Sequence, residues 1–404
     1  MFTAQKRGVH LFSSPSSSLS RRKRARAGKQ LKKKTECKSA SSKTSSSLPP
    51  GILVRVAKTA WNLGWNVMMS QLAPKDKVSG EYSRPESQFR VKDFDDDGFH
   101  SEGKKLYLFA GKTCPWAHRT LIVNELIKKS SKQRRNEEEE EQVEIIYLEP
   151  NKNTGLWTVP KEAVERIFFR DDGDTGDTGE RQRQQEQQPM IETLRDVYSY
   201  VSGTRFEGRA TAPLLISVSN GGAFEIVCNE SADIIRLFDC LNGENDEKLY
   251  PKENRKEIDE MCAYLFENVN NGVYKAGFAQ SQATLDDAVD KLFQALDVLD
   301  QKLERSKFLL GDDSLTLCDI CFYTTLIRFD AVYNHLFRCT RKRICDYPNL
   351  SRYLKTLYAL HAFRETTDMV GIREQYYTSL FPLNPGNLVP PLPFSSKDDW
   401  LLSL

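Results

Sequence analysis

Hydrophobic positions change their period along this chain, and the changes mark out its elements. Leu106, Leu108 and Ala110 alternate with their neighbours, the period of a half-buried strand. After Gly111 and Cys114, Pro115 opens a 3.6-residue stripe through Trp116, Ala117, Thr120, Leu121, Val123, Asn124 and Ile127, with Arg119, Glu125 and Lys128 in the gaps. Residues 143–148 form a short apolar run. Strand, crossover helix and parallel strand follow in that order. Residues 190–201 read as helix. Pro213 precedes an apolar strand, the Ser219-Asn-Gly-Gly-Ala stretch reads as a hairpin turn, and 224–227 should then pair antiparallel. A helix starts after Asn229, and from Pro251 every apolar stripe is helical: 253–269, 283–303, 349–360 and 364–377. Thr316, with Asp319 three residues on and apolar Leu315 and Ile320 beside them, forms a capping box with a staple.

Between these elements lie segments that cannot bury enough apolar surface to fold alone. Residues 130–142 include five consecutive glutamates, and 171–188 run from Asp/Gly/Thr-rich to Gln/Arg-rich. Both are expected as solvated loop insertions. Residues 381–404 are Pro-rich and expected as an extended tail. Residues 51–73 carry Trp61, Leu63, Trp65, Val67 and Met68 but are interrupted by Arg55 and Lys58, so a membrane span is not expected. An amphipathic helix packed on the body, or lying on a membrane surface, fits better. Residues 80–90 read as an extended arm.

Charge changes the picture at the amino end. Of the 58 Lys and Arg, 13 fall in residues 1–50, against the single acid Glu36, so acids exceed bases by 10 in the remainder. A basic pI is therefore no argument for a nucleic-acid partner. A Ser- and Arg-rich, acid-poor leader reads as an organelle transit peptide, with chloroplast preferred over mitochondrion or cytoplasm; a disordered basic arm is the competing reading. Nine cysteines show no disulfide framework, which fits a reducing compartment. Cys318 and Cys321 have metal-like spacing, but Cys321 falls on an apolar stripe and only His335 stands near, so buried core thiols are expected and no metal.

The chemistry concentrates at Cys114. It stands between a strand and a helix that begins at Pro115, where free amides and the positive dipole end face its sulfur and favour thiolate. The residue three further on is Ala117, so no second thiol can resolve it and an external thiol must. Glu230 and Ser231, at the next helix start, offer an acid, a hydroxyl and free amides, a set that suits an amino-acid end carrying both ammonium and carboxylate; a simple N-cap is the plain alternative. No Gly-x-x-x-x-Gly-Lys or His-Glu-x-x-His motif occurs.

Cys114-Pro-Trp-Ala-His-Arg-Thr resembles the active-site motif of glutathionyl-hydroquinone reductases, the xi class of glutathione transferases, and alone would not exclude the omega class. The resemblance runs from about residue 80 to 393 and rests on several further motifs. These are Arg209–Pro213, Glu230-Ser231, Asn270-Asn-Gly-Val-Tyr-Lys-Ala-Gly-Phe-Ala, Arg328-Phe-Asp-Ala-Val-Tyr and Glu374-Gln-Tyr-Tyr-Thr-Ser. It implies an α/β thioredoxin-like amino-terminal domain (104–245) followed by an all-α glutathione-transferase carboxy-terminal domain (246–380), with 51–103 as an extension. It implies a cis Ala212–Pro213 bond that leaves the Ala212 backbone free to pair with glutathione. Cys114 would be the nucleophile and Tyr274 the proton donor. Tyr333 and Tyr376, or its neighbour Tyr377, would help lower the thiol pKa. Trp157, Arg209, Ala210, Thr211, Ala212, Glu230 and Ser231 would bind glutathione. The implied activity is glutathione-dependent reduction of glutathionyl-hydroquinones through a Cys114–glutathione disulfide, with aromatic quinone conjugates as substrates. The alternatives are an omega-like thioltransferase or dehydroascorbate reductase, or a non-enzymatic binding protein of the same fold. Many family members are dimers, and no self-complementary surface can be read here.

Overall fold

The computed structural model describes residues 50–76, 80–91, 103–132, 143–151, 154–169, 190–241, 249–311, 314–380 and 382–391. The leader, nearly all of both low-complexity insertions and the end of the Pro-rich tail lie outside the described residues. By its contacts the chain divides into two units, 1–57 and 58–404. Of the first, only residues 50–57 are described; they are helical.

Helix α1 (Pro50–Leu72) ends with Met69 fully buried, whereas Leu63 and Val67 are exposed. Its last two turns pack on the core through Met69, with Trp65 and Leu72 beside it. Among the described residues, no helix is long and apolar enough to cross a membrane. The chain then runs extended through 80–91, with a bridge between Lys75 and Tyr82.

Strand β1 (Lys104–Ala110), helix α2 (Pro115–Lys132) and strand β2 (Val143–Tyr147) form the expected crossover, with β1 and β2 parallel. Short strands β3 (Glu149–Pro150) and β4 (Trp157–Thr158) pair separately; helices α3 (Lys161–Phe168) and α4 (Leu194–Ser202) follow. Helix α4 starts later than the apolar pattern suggested. Residues 190–193 are not helical, and a capping box between Thr193 and Asp196 sets the start. Strands β5 (Leu214–Ser219) and β6 (Phe224–Cys228) are the expected hairpin, and β5 pairs antiparallel with β1, giving sheet order β2-β1-β5-β6. Helix α5 (Ser231–Leu241) returns across the sheet.

Strand β1 is not half-buried. Leu106, Leu108 and Ala110 join one core with α2, α5 and the helical half, while Tyr107 and Phe109 join a second with Val164, Ile167, Val197 and Tyr198. The polar-looking face carries aromatics that α3 and α4 cover, so both faces are packed, as in sheets with helices on either side.

The carboxy-terminal half comprises α6 (Arg255–Leu265), α7 (Gly272–Gly277), α8 (Gln282–Lys302), α9 (Leu317–Arg328), α10 (Asn334–Leu336), α11 (Pro348–Tyr358), α12 (His361–Glu365) and α13 (Met369–Ser379). The first stripe is interrupted: a π-helical turn at Phe266–Asn270 separates α6 from α7, and another at Phe329–Tyr333 follows α9. The stripe at 364–377 is likewise two helices. Thr366 to Asp368 break it, and Asp368 caps α13 by accepting from the Gly371 amide at 3.0 Å. The Thr316–Asp319 capping box forms at α9, with Asp319 also accepting from Leu309 N at 2.9 Å and the Tyr353 hydroxyl at 2.8 Å.

Candidate functional site

The site is built around the turn joining β1 to α2. Cys114 N donates to Gly111 O at 3.1 Å, which closes the turn, and His118 N donates to Cys114 O at 2.9 Å, which starts the helix. Pro115 is the first helical residue. The half-buried Cys114 thiol faces Ala212, whose carbonyl lies 3.7 Å from Sγ, and the Ala212–Pro213 bond is cis. Gly111 is required by what packs on it: a Cβ there would come within 2.4 Å of the Trp157 ring. Trp157 is thereby held against the turn that carries the thiol.

The turn is pinned from the helical half. Arg328, fully buried on α9, donates to Thr113 O at 3.2 Å and to His118 Nδ1 at 3.1 Å. His118 Nε2 lies 3.1 Å from Thr366 Oγ1. Burial, and then the Arg328 charge, push the His118 pKa well below its ordinary value. The ring is therefore neutral, accepting at Nδ1 and donating from Nε2. It is a positioning group.

One wall of the site is charged. Glu230 precedes α5; it accepts from Ala232 N and Ser231 Oγ at 3.3 Å each, and from Ser87 Oγ at 2.8 Å. Burial raises the Glu230 carboxyl, but Arg84, these hydrogen bonds and Arg119 outweigh it and hold the group below the usual carboxylate range. The extended arm supplies both Arg84 and Ser87. It is fastened there by Phe89 N donating to Asn229 Oδ1 at 3.1 Å and by a bidentate Arg90–Asp233 pair at 2.6 and 3.1 Å. The Arg84 guanidinium sits 3.6 Å over the Trp116 ring, and Arg119 lies 4.5 Å over the same ring. Arg84 acts electrostatically on both Glu230 and Cys114, and its buried Nη1 has no hydrogen-bond partner among the described residues.

The other wall is neutral. The Tyr274 hydroxyl lies 2.6 Å from that of Tyr376, and the Tyr376 hydroxyl 3.0 Å from that of Tyr333. Burial pushes all three pKa values up, so each keeps its proton. Three hydroxyl hydrogens serve two hydrogen bonds, which leaves one to donate outward. Tyr274 is the least buried of the three and stacks on Trp116 at 6.2 Å, so it is the outlet of the chain. Tyr377 turns away and donates to Ala331 O at 3.4 Å, which separates it from Tyr376.

Of the residues the sequence singled out, Cys114, Ala212 and Trp157 converge on the turn, Glu230 and Ser231 form the charged wall, and Tyr274, Tyr333 and Tyr376 the neutral one. Thr211 accepts from Tyr198 at 2.9 Å, which fixes the loop before Pro213; Ala210 packs on the second core and Arg209 is exposed. Sequence reasoning missed Arg84, Arg119, His118 and Arg328 as parts of the site. Arg119, His118 and Arg328 stood inside quoted motifs without being given a role, and Arg84 lay in the 80–90 arm, which was read only as extended.

The chain is similar to known proteins over most of its length. Residues 282–356 match the family model "Glutathione S-transferase, C-terminal domain". Glutathionyl-hydroquinone reductase YqjG of Escherichia coli is 35% identical over 306 residues, covering 75% of this chain and 83% of that protein. PcpF of Sphingobium chlorophenolicum, also named a glutathionyl-hydroquinone reductase, is 34% identical over 77% of this chain and 89% of its own. The glutathione-bound structure of YqjG superposes with a TM-score of 0.58 at 34% identity, over 73% of this chain and 87% of that one. The glutathione-S-transferase Xi of Phanerochaete chrysosporium gives 0.61 at 32%, over 77% and 98%.

Proposed function

The chain belongs to the glutathionyl-hydroquinone reductase family of the glutathione transferases, and from that premise we propose that it reduces glutathionyl-hydroquinones with glutathione through a disulfide on Cys114. One observation carries the reading: a single half-buried sulfur at a helix amino terminus, with Ala117 in place of a second thiol, stands between a charged wall and a hydroxyl wall.

In the first step the Cys114 thiolate attacks the glutathione sulfur of the conjugate. The new S–S bond forms as the S–C(aryl) bond breaks, and the electron pair left on the ring carbon takes a proton from Tyr274. Tyr376 and Tyr333 support Tyr274 through their hydrogen bonds, and the proton it gives up is made good by the one the second glutathione loses on becoming a thiolate. Hydroquinone leaves. A second glutathione thiolate attacks the mixed disulfide, releases glutathione disulfide and regenerates Cys114.

The charged wall suits the γ-glutamyl end. Glu230 stays ionised and can pair with its ammonium, while the α5 amino terminus and the free Arg84 N–H suit a carboxylate. Trp157 and the Ala212 backbone fit the rest of the tripeptide. The test is a comparison of turnover with glutathionyl-menadione and with a glutathione mixed disulfide. A marked preference for the conjugate supports the reading; a preference for the mixed disulfide replaces it with an omega-like thioltransferase.

The basic leader supports delivery to the chloroplast. A fluorescent fusion of residues 1–50 tests this: plastid import is expected, and cytosolic retention would overturn it.

A further inference from the structure

Asn270, four residues before Tyr274, is buried, and both ends of its side-chain amide are engaged. Its Oδ1 accepts from Arg119 Nη2 at 2.8 Å. Its Nδ2 donates to Cys321 O at 2.9 Å and to Thr325 Oγ1 at 2.7 Å. Chemistry fixes this orientation, because a guanidinium can only donate and a carbonyl can only accept. One amide therefore joins α2, which carries Arg119, to α9, which carries Cys321 and Thr325.

The π-helical turn at Phe266–Asn270 sets up the contact. Asn271 N donates to Phe266 O at 2.8 Å, the i to i+5 bond of such a turn. Phe266, Asn270 and Tyr274 then recur every four residues, and all three meet α2. The two rings lie 5.9 and 6.2 Å from the Trp116 ring, and the amide between them takes Arg119.

Arg119 is buried too, with its guanidinium 4.5 Å over Trp116. Buried arginines are as a rule paired with a carboxylate. Here the acceptor is a neutral amide, and Arg119, Asn270 and Glu230 line the same cavity of the charged wall. A neutral acceptor fixes where the guanidinium points without cancelling its charge. That charge is one of those that keep the Glu230 carboxyl ionised.

We propose that Asn270 is a positioning residue of the glutathione site: it holds Arg119 on the Trp116 ring and, being neutral, leaves the positive charge to the wall that contains Glu230. The inference rests on the reading of that wall as the seat of the γ-glutamyl end.

The test measures Kd for S-methylglutathione by calorimetry on the full-length chain, together with kcat for glutathionyl-menadione. This probe carries the γ-glutamyl end and cannot exchange with Cys114. Asn270→Ala should weaken binding by about fivefold, the size of one hydrogen bond, and change kcat by less than about twofold. Arg119→Met should weaken binding by about tenfold, and adding Asn270→Ala to it should cost nothing more, because Asn270 acts through Arg119. Losses that add in the double variant would mean that Asn270 only pins α9, and would overturn the proposal. Should Asn270→Ala not fold, Asn270→Asp decides. It keeps the shape and the acceptor but sets a carboxylate against the guanidinium, so binding should again weaken by about fivefold, and wild-type affinity would overturn the proposal. Glu230→Gln reports on the underlying reading. Wild-type affinity there means that this wall does not take the peptide end, and both readings fall. Weakened binding in Glu230→Gln with wild-type affinity in Asn270→Ala or Arg119→Met overturns the role of Asn270 alone.

Discussion

The two walls that face Cys114 solve opposite problems. The wall of Arg84, Ser87, Glu230 and Ser231 keeps its carboxylate ionised by surrounding it with cations and donors. The wall of Tyr274, Tyr376 and Tyr333 keeps its groups protonated by burying them. A zwitterionic peptide end calls for fixed charge, whereas a proton donor must still hold its proton at working pH. The same burial that would be costly for Glu230 is what makes the tyrosines useful. Under the proposed mechanism, one site would hold a charged ligand end and protonate a ring because the two environments are kept apart, with Trp116 touching both.

The strongest way to break this comparison is to remove the sulfur between the walls. Cys114→Ala should lower turnover by about 10³-fold or more while circular dichroism shows an intact fold. Next comes the neutral wall alone. Tyr274→Phe should lower kcat for a glutathionyl-hydroquinone by about 10²-fold, the lower range for general-acid catalysis. Steady-state rates on a mixed disulfide should change little, because a leaving thiolate needs no proton on carbon. The charged wall should respond in the opposite sense. Glu230→Gln should raise KM for glutathione by about tenfold, the size of a hydrogen bond to a charged group, and leave kcat near its wild-type value. The smallest effect is on pH. The folded Glu230 pKa is depressed, so the stability it contributes is present above the unfolded carboxylate value, about 4.3, and is lost as pH falls through the lower folded value. Urea unfolding midpoints of wild type and Glu230→Gln should therefore differ at neutral pH and converge in acid below the ordinary carboxylate range.

Much of this arrangement was legible because it is local. The strand–turn–helix around Cys114, the hairpin after Ser219 and the capping box at Thr316 each need only neighbouring residues to form. Glu230 and Ser231 were likewise placed by the helix start they create. What escaped reading depends on distance along the chain. Arg328 reaches Thr113 across 215 positions, and Ser87 reaches Glu230 across 143. No local pattern reports such contacts. The two π-helical turns were hidden because an inserted residue shifts an apolar stripe without erasing it. Those turns lie just before Tyr274 and at Tyr333, so the shift bears directly on which hydroxyls meet. Tyr376 and Tyr377 are adjacent, and periodicity could not choose between them. Contact with Tyr274 and Tyr333 brings Tyr376 into the cluster. The burial of both β1 faces was missed for a related reason: Tyr107 and Phe109 need α3 and α4 to cover them, and that packing is not written in the strand itself.

The most direct measurement is a single-turnover reaction with glutathionyl-menadione and no added glutathione, quenched and read by intact-protein and peptide mass spectrometry. One glutathione per chain on the Cys114 peptide, formed at the same rate as hydroquinone is released, is expected. Hydroquinone released with Cys114 unmodified would contradict a sulfur-to-sulfur transfer at this position.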